Sequence, residues 1–248
     1  MNPLFAFQLR RIGRNRQYLL FTVLLPALFT IFFTKIFGGL ASGPVEYQRE
    51  AALYMVSMMA YGGLGAALGA TIRISFDRAS GWLRQLRVTP VPQSQVFAVD
   101  VAVGALLTLP SLVVVALVGR FVNDVQLGLG TWLALVGVLW AGSIAFVALG
   151  LLVGLALDER AAGGAIGFVG VVLAALGGLL APVEVFPDSM RTLAHAMPSY
   201  WYAQLGRDVA AGGAPSATAV LALAAFTAGF AALAVVVARR RPLYAVAG

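Results

Sequence analysis

Six stretches of the chain run apolar with no sustained alternation: Tyr18–Phe37, Ala51–Ile72, Val96–Val118, Thr131–Leu157, Ala161–Pro182 and Thr218–Val237. Each is close to the roughly 20 residues that a helix needs to cross a hydrocarbon core about 30 Å thick. A helix satisfies its backbone N–H and C=O groups within one segment, which lipid requires. The pattern predicts an all-α integral membrane protein with six transmembrane helices, and an even count places both termini on one side. The polar segments that matter are residues 1–16, 73–95 and 183–215.

In the first, "NPLFAFQLRRIGRNRQ", Asn2 suits a cap and Pro3 a first helical position. Phe5, Leu9 and Ile12 then share one face, with Arg10, Arg11 and Arg14 off it, which predicts an amphipathic interfacial helix on anionic membrane lipids. In the second, "FDRASGWLRQLRVTPVPQSQ", Asp77 reads as an N-cap. Ala79, Trp82, Leu83 and Leu86 follow at i, i+3, i+4 and i+7, while Arg78, Arg84 and Arg87 occupy other faces. Pro90 and Pro92 stop the helix, since proline lacks an N–H and restricts the residue before it. A short helix with one apolar stripe either lies on the membrane or fits a groove of a cytosolic partner, and periodicity alone favours neither. The third reads as two short helices broken at Met197–Pro198, with Tyr200, Trp201 and Tyr202 at the depth of an aromatic belt. It is expected to form a partly re-entrant hairpin between the fifth and sixth spans.

Composition agrees: 60% of the 248 residues are hydrophobic and 11% charged, against roughly 45–50% apolar in soluble domains. Charge placement gives orientation. With the N-terminus inside, twelve of the seventeen basic residues fall on the inner side and six of the ten acidic ones outside, as the positive-inside rule expects. Both termini are therefore expected in the cytoplasm. The first apolar run lacks a small-x-small cleavage pattern and reads as a retained span.

The chain has no cysteine, and His195 is its sole histidine, so thiolate and histidine-cluster metal sites are not expected. The net charge of +7 is spent on topology, and no nucleic-acid partner is expected. A phosphate-binding loop needs Gly-Lys-Ser/Thr; the only lysine, Lys35, sits between Thr34 and Ile36. No nucleotide cofactor is therefore expected in this chain. Ser143 in "AGSIA" is not a nucleophile elbow. Ionisable residues inside the spans are nearly absent, Asp100 lying about a turn from the inner interface. Small residues recur four apart, as at Gly65 and Gly69, Gly150 and Gly154, and Gly163 and Gly167, which predicts close helix packing. Pro26 and Pro110 are expected to kink their spans.

Two motifs carry a resemblance. "DRASGWLRQLRVTP", with Asp77, Arg78, Gly81, Leu86, Val88, Thr89 and Pro90 in place, resembles the inner-loop signature of ABC type-2 exporter permeases. There Ala79 and Gln85 stand where acidic residues are usual. "GGLLAPVEVFPDSM" and "MPSYWYAQLGR" resemble the family's outer pattern at Gly178, Phe186, Pro187, Met190, Pro198 and Arg207, with Tyr202 one residue beyond its usual place. Daunorubicin-resistance-type permeases are similar. The resemblance implies one domain over residues 1–248. A second permease copy, identical or not, would pair with it, and each copy would bind a cytosolic ABC ATPase that holds ATP and Mg. Asp77, Arg78, Gly81, Trp82, Leu83, Leu86 and Arg87 would form the coupling helix. Phe29, Phe33, Met58, Met59 and Phe168 are candidates for a substrate pathway walled by the first, second and fifth spans. The resemblance further implies export of a drug, lipid or other amphipathic substrate across the plasma membrane, as in multidrug efflux and antibiotic resistance. The chain would be no enzyme by itself. The alternatives are an ATP-independent carrier or channel, which needs polar groups converging at mid-membrane, and an intramembrane enzyme or scaffolding subunit.

Overall fold

A computed structural model describes residues 20–39, 41–80 and 93–240. The interfacial helix expected over residues 1–16, and Gly81, Trp82, Leu83, Leu86 and Arg87 of the coupling loop, lie outside the described residues. Among the described residues every regular element is helical. They are α1 (Leu25–Gly38, entered through a π-helical turn, Leu20–Leu24), α2 (Pro44–Thr71), α3 (Arg73–Ala79), α4 (Gln93–Phe121), α5 (Leu129–Gly142), α6 (Ile144–Ala156), α7 (Glu159–Leu176), α8 (Asp188–His195), α9 (Pro198–Ala210) and α10 (Ala217–Arg240). Six apolar stretches are long enough to cross a membrane: Leu20–Gly38, Pro44–Ala79, Gln95–Phe121, Leu129–Ala156, Glu159–Leu176 and Ala217–Arg240. They match the six expected from the sequence.

The second span is the axis of the bundle: 72% of its apolar window is buried, against 22% for the first and fifth and 11% for the sixth. It packs most extensively on α4 and also touches α1, α6 and α9. Met55, Met58, Met59, Leu64, Leu68, Leu112, Phe146 and Tyr202 form the core. Phe21, Leu28, Phe32, Val220 and Leu221 point outward, as a lipid-facing surface allows.

The bounds shift where a local cap overrides apolarity. The second span starts at Pro44, seven residues before the apolar run, because Pro44 sits in the first turn and Glu46 Oε2 accepts from the Ser42 N–H at 2.6 Å. The fifth begins at a cap, Asp158 Oδ1 accepting from Ala161 N–H at 2.9 Å. It ends at Leu176 rather than Pro182, since Gly177 and Gly178, the latter at φ +72°, turn the chain while it is still apolar. The fourth span is broken at Ser143, between α5 and α6, and a Gly-Ser pair is a known place for such a break. Asp77 opens no helix: it lies buried in the last turn of α3.

A neighbour serves the first of the two prolines. Pro26 has no N–H for the Thr22 carbonyl, and Ser111 Oγ of α4 donates to that oxygen at 2.7 Å. Gly62 of α2 makes room for this joint, since a Cβ there would strike Ser111 Oγ and sit 3.1 Å from Pro26 Cγ. Ser111→Ala is expected to cost about 0.5–1.5 kcal/mol, the net worth of one hydrogen bond. A lower unfolding midpoint in detergent would show it, and an unchanged midpoint would mean that Thr22 finds another donor. Near Pro110, Thr108 Oγ1 at 2.7 Å and Trp140 Nε1 at 2.8 Å both donate to the Ala105 carbonyl. Ser143 Oγ lies 3.3 Å from Thr108 Oγ1 and donates to Trp140 O. Thr108, Trp140 and Ser143 thus spend their polar groups on one another and on nearby carbonyls.

Candidate functional site

The two ends of the bundle carry the chemistry. The end that holds α8 and α9 is here the hairpin end; the opposite one, holding α3, is the loop end.

At the loop end α3 follows α2 after the single residue Ile72 and packs on α6 and α7. Ile74 is buried with Val96, Leu151, Leu155 and Ala234. Arg78 Nη1 donates to the Leu155 carbonyl at 2.7 Å, satisfying one of the four acceptors that a helix C-terminus leaves open. The described residues just before Gly81 are thereby bonded to the last turn of the fourth span. Of the seven coupling candidates only Asp77 and Arg78 are described. Sequence reasoning placed Arg78 off the apolar stripe; its long-range bond to Leu155 leaves no trace in the local pattern.

At the hairpin end, Asn123 ties three spans together: its Nδ2 donates to Thr30 O at 3.1 Å and to Thr34 Oγ1 at 3.0 Å, and Tyr47 Oη donates to its carbonyl at 3.3 Å. Gln48 extends the tie to Asp124 and Gln126. The hairpin then closes over the second span. Trp201 Nε1 donates to His195 O at 2.8 Å, holding α8 against α9. Tyr202 is fully buried: its ring packs 5.1 Å from that of Phe146, and its hydroxyl donates to Leu139 O, near the middle of the fourth span, at 2.9 Å. Pro198 is buried, Pro187 exposed and Phe186 half-buried. Arg207 is half-buried beside the Tyr200 ring, its guanidinium carbon 5.6 Å from the ring centre. Burial pulls its pKa below the ordinary arginine value, and Glu184, Tyr200 and Asp208 pull it back up.

Two adjoining cavities open at this end, one of about 710 Å³ and one of about 320 Å³, and Arg49, Leu53, Glu184 and Arg207 line both. Arg49 and Glu184 entered the sequence reading only as charges for orientation. What gathers them is the return of the hairpin onto the start of α2, a contact across some 130 residues that no short motif encodes.

The pathway candidates separate. Phe29 and Phe33 belong to an aromatic row between the first and second spans, with ring centres 5.7 Å apart, Tyr61 at 6.4 Å from Phe29 and Tyr54 at 6.2 Å from Phe33. Met58 and Met59 are fully buried in the core of the single chain. Phe168 is 71% exposed on the fifth span. A groove of about 270 Å³ runs beside the row between the first, second and fifth spans, lined by Pro26, Tyr61, Gly65, Gly167 and Val171 among others. The glycine pairs divide likewise. Added methyls at Gly150 and Gly154 would collide with the second span, whereas Gly65, Gly163 and Gly167 face nothing within 4 Å.

Five apolar spans around a buried second one define a multi-pass helical membrane protein, with α3 bonded to the fourth span at one end and a charged cleft at the other. A family model described as ABC-2 type transporter matches residues 3–210, and the chain belongs to that family. It is also similar to the protein named "Putative transport permease YvfS" of Bacillus subtilis (strain 168), with 28% identity over 222 residues that cover 88% of this chain and 89% of that one. The chain is thus a transmembrane permease of an ABC transporter, a membrane subunit whose family implies partnership with an ABC ATPase subunit.

Proposed function

We propose that this permease is half of an ATP-driven exporter: two copies pair through the glycine-lined face of the second and fifth spans, and separate cytosolic ATPase subunits bind ATP and Mg and press on residues 77–87. The chain moves an amphipathic substrate, a drug or a lipid, out of the cell and catalyses no reaction itself. It sits in the plasma membrane with both termini in the cytoplasm, an orientation supported by the excess of arginine on that side. The observation that carries the reading is the bond from Arg78 to Leu155. It couples the first inner turnaround to the fourth span, so a force applied at 81–87 is delivered into the bundle rather than absorbed by a slack loop. The groove between the first, second and fifth spans, with Phe29, Phe33 and Phe168 near it, supports a lipophilic path at the pair's interface. The hairpin supports a lid dipping into the outer leaflet, since Tyr202 reaches the level of mid-span four.

The test is co-purification and transport. Tagged permease from native membranes is expected to bring down an ABC ATPase, and export in vesicles is expected to stop when ATP is depleted. Export that continues without ATP, with no ATPase retained, would favour the carrier reading instead.

A further inference from the structure

The cleft at the hairpin end holds charges that no internal partner uses. Asp208 is engaged: its carboxylate accepts from Gln204 Nε2 at 2.7 Å and from Ser216 N–H at 2.8 Å. Arg191 is engaged with Asp188 at 3.7 Å and with the carbonyls of Glu184 and Phe186. That leaves Arg49, Arg207, Glu50 and Glu184. Among the described residues none of these four side chains forms an ion pair within 4.0 Å, yet they line the same pair of cavities. Glu50 and Glu184 both lie within electrostatic reach of Tyr54, and Glu184 within reach of Arg207. Arg207 Nε is sealed from water with no hydrogen-bond partner. Its guanidinium lies over the Tyr200 ring, and Glu184 and Asp208 act on it from beyond ion-pair distance, which leaves its fork of donors bonded to no carboxylate. Leu53 and Leu180 give the cleft an apolar wall.

An anion alone would meet Glu50 and Glu184 as well as the arginines; an ammonium alone would meet Arg49 and Arg207. A head that carries both signs meets a partner for each. We propose that this cleft binds the zwitterionic head of an amphiphile, its oxyanion held by Arg49 and Arg207 beside an ammonium held by Glu50 and Glu184, with the apolar body laid along Leu53 and Leu180. The inference goes beyond the exporter reading and does not depend on it, because binding needs neither ATPase nor turnover.

The test uses the purified full chain without an ATPase. Native mass spectrometry in an equimolar mixture of phosphatidylethanolamine and phosphatidylglycerol is expected to show the zwitterionic lipid retained about tenfold better. Arg207→Gln and Arg49→Gln should each lower that retention by about five- to tenfold. Arg49 is exposed, so its variant carries the test should Arg207→Gln fail to fold. The double variant Glu50→Gln, Glu184→Gln should lose the preference while gaining phosphatidylglycerol. A parallel titration compares dodecylphosphoethanolamine with free phosphoethanolamine: binding of the tailed compound alone supports the apolar wall, and equal binding of both overturns that part. Equal retention of the two lipids by the unaltered chain, or unaltered retention in Arg49→Gln, would overturn the proposal.

Discussion

Trp82→Ala and Leu86→Ala are expected to abolish ATP-driven transport while leaving the permease inserted and folded. In the sequence these residues share the apolar stripe of the inner loop with Ala79 and Leu83. An aromatic anchor truncated at a protein interface costs about 2–4 kcal/mol of binding, enough to weaken the grip of an ATPase some thirtyfold or more. Expression and detergent stability are read alongside and are expected to match the parent. Arg78→Ala tests the next link inward. It leaves the stripe intact but cuts the bond to Leu155 O, so ATPase should still co-purify while transport falls. Read together, loss of docking in Trp82→Ala and retained docking with lost transport in Arg78→Ala would order the two residues along one line of force. Normal substrate-stimulated hydrolysis in Trp82→Ala and Leu86→Ala would refute the coupling role outright.

The spans were legible in the sequence because lipid makes the demand local: a window of about twenty apolar residues must hydrogen-bond within itself, whatever surrounds it. Their ends were less so, because ends are set by caps. Glu46 and Asp158 are polar residues whose capping bonds decide where helices begin, and Gly178 stops a helix inside an apolar run. The small-residue pattern announced close packing without saying where. Gly150 and Gly154 turned out to serve contacts within the chain, and Gly163 and Gly167, spaced identically, face none. Two motifs at the hairpin end named Pro198 and Arg207, but the depth of Tyr202 and the company of Arg49 and Glu184 follow from the hairpin folding back over the second span. Long-range closure of that kind leaves no period in the sequence. The inner loop was the reverse case: its motif contains Arg78, but the bond from Arg78 to Leu155 O spans 77 residues and leaves no mark in the motif.

Tyr202→Ala is expected to produce the largest loss of stability in the hairpin, about 3–5 kcal/mol, the usual cost of emptying an aromatic from a packed core. The ring is wedged between two helices at glycines. A methyl at Gly142 would lie 2.8 Å from Tyr202 Cδ2, and one at Gly63 would strike the hydroxyl. Tyr202 Oη donates to Leu139 O at 2.9 Å while the ring rests on Phe146. Burial pushes the phenol far above the ordinary tyrosine range, so it remains a neutral donor at physiological pH. Tyr202→Phe separates the two contributions. Leu139 O also accepts from Ser143 N–H at 3.0 Å, so losing the phenol leaves that carbonyl satisfied and should cost only about 0.5–1.5 kcal/mol. The ring is therefore the anchor and the hydroxyl a guide. Thermal unfolding in detergent reads both variants, and limited proteolysis at 183–197 reads whether the hairpin has come loose. If Tyr202→Ala melts with the parent and its hairpin stays protected, the hairpin is held by α8 and the aromatic cluster of His195, Tyr200 and Trp201 instead. If it melts early while Tyr202→Phe does not, side-chain volume at the Gly63–Gly142 crossing is what fixes the hairpin over the second span.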